Sequence, residues 1–199
     1  MCIRDRLMGH ENLVLDAEGE YVTMAEVLRG INIDISPKSD TVINIFDVET
    51  EITKDEITGR ERTVVNIENK VEDVTQALMT MAKGSTRTKE VNELTKQIIS
   101  ESVAAEYAAL GITSDPMSLY ENGRNVGSFG RKKKLMPTIG SWYKRLEHMA
   151  QENDNEDYRF HYSYLLKVMK QYIREFGGQM AYFDGQSTFE LLDLSLIHI

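Results

Sequence analysis

From Asn66 to Phe176 the apolar residues recur at intervals of three and four, and this periodicity constrains the fold more than any other feature of the chain. Val71, Val74, Leu78 and Met81 fall on one helical face. Leu94, Ile98, Ile99, Val103, Tyr107 and Leu110 fall on another, with a break at Gly84-Ser85 before it and Gly111 closing it. Asp115-Pro116 pairs an N-cap residue with proline at the first helical position, which predicts a short helix through Tyr120. Asn122 to Lys134 carries Gly123, Gly127 and Gly130 and reads as a loop. Pro137-Thr138 opens a further helix with Trp142, Leu146 and Met149 on one side. A last helix is predicted from Glu156 to Phe176, with Phe160, Tyr164, Leu165, Val168, Met169, Tyr172, Ile173 and Phe176 as its stripe, stopped by Gly177-Gly178. A helix with one apolar stripe needs a partner, so these segments should pack on one another.

The flanks have a different character. Leu13-Val14-Leu15 is a short continuous apolar run, as expected of a buried parallel strand. Tyr21 to Leu28 reads as a short helix, and Ile31-Asn32-Ile33-Asp34-Ile35 alternates like a second strand before the turn at residues 36–40. Strand, helix and strand in so little chain predict a βαβ unit. Thr50 to Thr63 is polar and contains Gly59, which suits a surface excursion such as a hairpin. Met180-Ala181-Tyr182-Phe183 reads as a strand followed by a turn at Asp184-Gly185. The predicted organisation is an α/β class chain with a partial α/β core over residues 7–63, a helical insertion subdomain over 64–176 and a return to the core over 177–193. Residues 1–6 and 194–199 are similar to translated sequencing-adapter read-through of the kind found at the edges of metagenomic reading frames, which implies a fragment whose natural termini lie elsewhere. They are left out of the fold reasoning, and the only cysteine, Cys2, goes with them.

Charge narrows the functions. The chain carries a net charge of −9, which does not favour non-specific nucleic-acid binding through phosphate neutralisation. The local exception is Arg131-Lys132-Lys133-Lys134, read either as a solvated loop or as a contact for DNA or an acidic partner. No apolar run approaches the roughly 20 residues needed to span a bilayer. His10, His148 and His161 have no i, i+4 ligand spacing with one another, so a zinc site is not expected. The tyrosines at 158, 162, 164 and 172 serve either core packing or base stacking.

Phosphate-binding patterns are missing from the sequence. There is no Gly-x-x-x-x-Gly-Lys-Ser/Thr loop, and Ala82-Lys83-Gly84-Ser85-Thr86 lacks its Gly-Lys pair. No apolar run ends in the paired acidic residues of a nucleotide-hydrolysis strand. The acidic segment Asp16-Ala17-Glu18-Gly19-Glu20 is the notable cluster, since it follows the first predicted strand at the edge where α/β sheets bind ligands. Asp16 and Glu18 there have two readings. They position water or a cation, or they cap the helix that follows.

Several of these segments, in order, resemble the conjugal-transfer and type IV secretion ATPases of the TraC and ConE type, in the HerA–FtsK branch of RecA-like P-loop motors. Leu15 to Tyr21 is similar to the family's Asp-Pro-Glu-x-Glu-Tyr segment, and Ile33 to Ser39 to its Ile-Ser-Pro-x-Ser turn. Val42-Ile43-Asn44-Ile45-Phe46-Asp47 resembles its Ile-Asn-Pro-Phe-Asp segment. Pro137-Thr138-Ile139 resembles the Pro-Thr-Leu that opens a late insertion helix, and Tyr182 to Thr188 the return to the core. Ala17 and Ile45 stand where the family has proline, which relaxes the backbone at both places. The resemblance implies a partial RecA-like core interrupted by a helical insertion. It implies a parent that uses ATP and Mg2+ to power DNA or protein export, as a homo-oligomeric ring with type IV secretion channel components, at the cytoplasmic inner face of the membrane. It puts the phosphate loop ahead of His10 and the hydrolysis strand beyond Leu192, so the chain alone should bind ATP weakly or not at all. It sets Asp16 and Glu18 beside the nucleotide in supporting roles. The competing expectation is a non-enzymatic helical interaction or DNA-associated module.

Overall fold

A computed structural model of the chain describes residues 16, 18–28, 30, 32–34, 40–54, 59–83, 91–121 and 132–188. Its four longer helices begin where side chains can satisfy the first free backbone N–H groups. Helix α1 is Val22–Val27. After the hairpin β1 (Glu51–Lys54) and β2 (Glu61–Val64), α2 runs Ile67–Lys83 and α3 Glu93–Ala109. Asn92 caps α3 in a capping box with Thr95, so two backbone donors are met reciprocally. Leu110 ends that helix and Gly111 takes a left-handed φ of 65°. The same device opens α4 (Ile139–Glu152), where Thr138 and Ser141 form the box. Asn155 caps α5 (Glu156–Met169).

The predicted stripes supply much of the core, but Phe160 and Phe176, both expected on the last stripe, are exposed. Helix α2 packs on α3 and α4 on α5, and α3 also meets α4 and α5. Leu78, Ile98, Ile99, Val103, Ile139, Trp142, Leu146, Leu165 and Met169 are fully buried between them. Phe46 and Val48, from the segment before the hairpin, and Val65, after it, join the same cluster.

The hairpin expected between Thr50 and Thr63 is present, with Glu51 opposite Val64 and Lys54 opposite Glu61. Helix α1 matches the expectation for Tyr21–Leu28, although none of its residues is buried. Other expectations need correction. Residues 32–34 are not in a strand, because no neighbouring strand among the described residues offers them a ladder; Ile31 and Ile35 lie outside the described residues. The strand expected at Leu13–Leu15 also lies outside them, as do residues 1–6 and 194–199. The helix predicted through Phe176 stops at Met169 and continues as single 3-10 turns at Lys170–Tyr172 and Arg174–Phe176, parted by extended Ile173. The helix at Asp115 is likewise one 3-10 turn, Pro116–Leu119.

Met180–Phe183 is not a strand either. Ala181–Phe183 is a 3-10 turn. Met180 N donates to Gln171 O at 3.0 Å and Asp184 N to Ala181 O at 3.0 Å, so the donors a strand would present are taken locally.

Candidate functional site

The acidic turn, the basic run and the return segment are the places where sequence reasoning looks for chemistry. At the first, both carboxylate oxygens of Asp16 accept from the backbone. Oδ1 takes Gly19 N at 2.9 Å and Glu18 N at 3.3 Å, and Oδ2 takes Tyr21 N at 2.8 Å. Asp16 therefore closes the turn that leads into α1, whose N-cap residue Tyr21 has no side-chain cap of its own. The Tyr21 amide, with help from the other turn amides, holds the Asp16 carboxyl below the usual carboxylate range. Glu18 and Glu20 are exposed. Among the described residues no three His, Cys, Asp or Glu side chains are grouped to hold a metal ion.

The lowered Asp16 value has a definite sign. A carboxyl whose pKa falls on folding contributes stability above its unfolded pKa, near 3.8, and loses it as pH drops through the folded value. Acidification below that range should therefore loosen the turn, seen as faster amide exchange at Tyr21. An unchanged Tyr21 exchange rate once Asp16 is protonated, as followed by its carboxyl chemical shift, would show that the turn does not depend on this charge.

At the basic run, the described lysines are all occupied. Lys132 Nζ lies 3.2 Å from Glu121, and Lys133 Nζ lies 3.5 Å from Glu49. Lys134 Nζ donates to Leu110 O at 2.6 Å, a cation on one of the free carbonyls at the end of α3. A short antiparallel pairing of Tyr120 with Lys133 fixes the run in place. Arg131 lies outside the described residues.

The return segment has the richest geometry. Asp184 accepts from Gly140 N at 2.7 Å, at the N-terminus of α4, and from Arg174 N at 2.9 Å. Gln186 brackets the Met136 peptide, accepting from its N at 3.2 Å and donating to its O at 2.7 Å. Ser187 Oγ accepts from Asn44 N at 2.9 Å, and Thr188 N donates to Val42 O at 3.1 Å. Buried Asn44 in turn donates to Pro137 O at 2.9 Å. Residues 42–47, 137–140 and 182–188, far apart in sequence, thus meet at one junction at the base of the helices. Tyr107 anchors it to α3 by donating to Phe46 O at 2.9 Å, and burial pushes its hydroxyl well above the ordinary phenol range.

A second polar set was not anticipated. Trp142 Nε1 donates to Ser102 Oγ at 2.7 Å, and Ser102 passes a bond to Ile99 O at 2.8 Å. Glu106 pairs with Arg145 and accepts from Ser141 Oγ at 3.2 Å. His161 Nδ1 meets Thr95 Oγ1 at 3.0 Å. The available signal was position. Ser102 and Glu106 continue the apolar face of Ile98, Ile99, Val103 and Tyr107, so a polar residue there has to find a buried partner. His148 sits apart from these groups, exposed and 3.1 Å from Glu152. Of the questioned tyrosines, Tyr162 and Tyr172 are buried. Tyr164 donates to Ala82 O at 2.9 Å and Tyr172 to Met81 O at 3.3 Å, so both tie α5 and the turn after it to the end of α2.

No family model, curated protein or solved structure matches the chain.

Proposed function

We propose that the chain is part of a motor ATPase of the conjugal-transfer and type IV secretion class, to which it contributes a helical insertion and a portion of the α/β core around it. The observation supporting this reading is the junction. Three segments singled out by the family resemblance, around Asn44, Pro137 and Asp184, lie together in space. A helical insertion requires this, because the chain must leave and rejoin its host core at neighbouring points. In this reading the parent binds ATP and Mg2+, forms a ring, and drives DNA or protein through a secretion channel from the cytoplasmic face of a membrane. No helix among the described residues is long and apolar enough to cross a membrane.

The residues present do not by themselves fit ATP or Mg2+. The sequence lacks a phosphate loop, and the Asp16 oxygens are already committed to backbone donors. The nucleotide would belong to the parent's own loop, with Asp16 shaping the turn beside it. The alternative, a non-enzymatic helical interaction module, is favoured by one observation. Asp16, Asn44, Asp184 and Gln186 each spend their polar groups on backbone atoms of this chain.

The discriminating experiment extends the reading frame in its genomic setting and assays ATP turnover with Asp16→Asn and Glu18→Gln. An in-frame phosphate loop and Mg2+-dependent turnover are expected. Asp16→Asn keeps one acceptor oxygen and loses the other, so it should loosen the turn, seen as faster amide exchange at Tyr21, and leave turnover per folded molecule unchanged. A tenfold fall in turnover, roughly 1.4 kcal/mol of barrier, would instead give the carboxylate a part in catalysis. Absence of any in-frame phosphate loop would remove the motor reading.

A further inference from the structure

A groove of about 430 Å³ runs along the contact of α4 and α5, floored by Tyr143, Tyr162 and Leu166 and edged by Arg159, Lys167 and Lys170, with Glu147 the one carboxylate on its lining. Several cations of this acidic chain are already held in ion pairs among the described residues. Lys54, Lys96, Lys132, Lys133, Lys144 and Arg145 each pair with a carboxylate. The cations of the groove differ. Arg159, Lys167 and Lys170 are exposed, and no carboxylate among the described residues lies within ion-pairing distance of them; Lys170 rests over the Phe176 ring at 5.1 Å. Arg159 and Lys167 lie on α5 and Lys170 directly follows its last residue, so they form one stripe about 16 Å long.

The complementary surface is on the same helix pair. Where α4 turns into α5, Glu152, Asp154, Glu156 and Asp157 are all exposed within one short stretch of chain. The acids crown the tip of the helix pair while the cations line its flank. Of those four acids, Glu152 alone pairs with a cation among the described residues, and that partner is a histidine.

We infer that the α4–α5 groove receives the acidic tip of a second copy of this chain. The two patches are different parts of the surface, so the contact is head-to-tail and propagates into a ring or an open row. Opposite charges of this kind set orientation and encounter rate as well as affinity. The inference gives a surface to the self-assembly that the motor reading calls for. Its test needs no nucleotide, so the two can fail separately.

Sedimentation velocity of the purified 199-residue chain over a range of concentrations tests it. Reversible association is expected at low salt and should weaken as salt shortens the Debye length from about 30 Å toward about 8 Å. Lys167→Glu with Lys170→Glu should raise the dissociation constant at least about tenfold, and so should Glu152→Lys with Glu156→Lys. Mixing the two double variants should restore association, because each reversed patch then meets a reversed partner. All four positions are exposed, so helix content by circular dichroism should match the unaltered chain. A chain that stays monomeric at low salt would overturn the inference. So would variants that associate like the unaltered chain, or a mixture in which no association returns.

Discussion

Trp142→Ala is expected to cost about 3–5 kcal/mol of folding stability, the range for emptying a large aromatic site in a core. Trp142 is 0% exposed and lies among Ile98, Ile99, Leu146 and Leu165, residues equally enclosed. Its indole also donates to Ser102 Oγ at 2.7 Å, so truncation both opens a cavity and strips a buried hydroxyl of a donor. Trp142→Phe separates the two effects. It keeps most of the volume but loses the N–H and part of the ring system, so a smaller loss, about 1 kcal/mol from the hydrogen bond plus partial underpacking, is expected. Urea unfolding followed by circular dichroism measures both, since Trp142 is the sole tryptophan and its fluorescence disappears with it. A midpoint for Trp142→Ala within error of the parent chain would mean that α3 and α4 do not close on this side chain.

Asp184→Ala should cost about 2–4 kcal/mol. Its carboxylate makes two bonds to backbone N–H groups, the part-buried one to Gly140 worth about 1.5–3 kcal/mol for a charged acceptor and the exposed one to Arg174 about 0.5–1 kcal/mol. One bond falls at the N-terminus of α4, where the helix dipole also favours a negative charge. The neighbouring glycine supplies a cross-check. A Cβ on Gly140 would come 2.9 Å from Asp184 Oδ1, so Gly140→Ala should destabilise the chain while Asp184 is present. In the Asp184→Ala background the same change should turn neutral or favourable, by up to about 1 kcal/mol of helix propensity. Equal effects in both backgrounds would mean that Asp184 does not sit against this turn. Loss of the contact should also expose residues 182–188 to proteolysis before the helices unfold.

The helices were legible because their signals are local. Val71 to Met81 and Leu94 to Leu110 carry the period of a one-sided helix, and Thr138 with Ser141 and Asp115 with Pro116 mark where helical turns begin. The hairpin was legible for the same reason, since Gly59 takes φ 65° in a polar stretch. What escaped depended on distant partners. Met180 to Phe183 has the composition of a strand, yet its backbone is claimed by Gln171 and by its own turn. Lys134 looks like one more residue of a basic loop until the Leu110 carbonyl, 24 residues earlier, is seen to receive it. Asp16 followed a similar course. Its charge type suggested ligand chemistry as readily as capping, and only the position of the Tyr21 amide separates the two uses. The junction was legible as a list of segments but not as a place, because periodicity says nothing about which loops meet.

That junction has a mechanical consequence. The chain enters the helices through Val42–Asn44 and leaves through Ser187–Thr188, and these two flanks are bonded to each other. A pull applied across the two flanks would load the Val42–Thr188 and Asn44–Ser187 bonds first and in succession, as in opening a zip, before tension reached any helix.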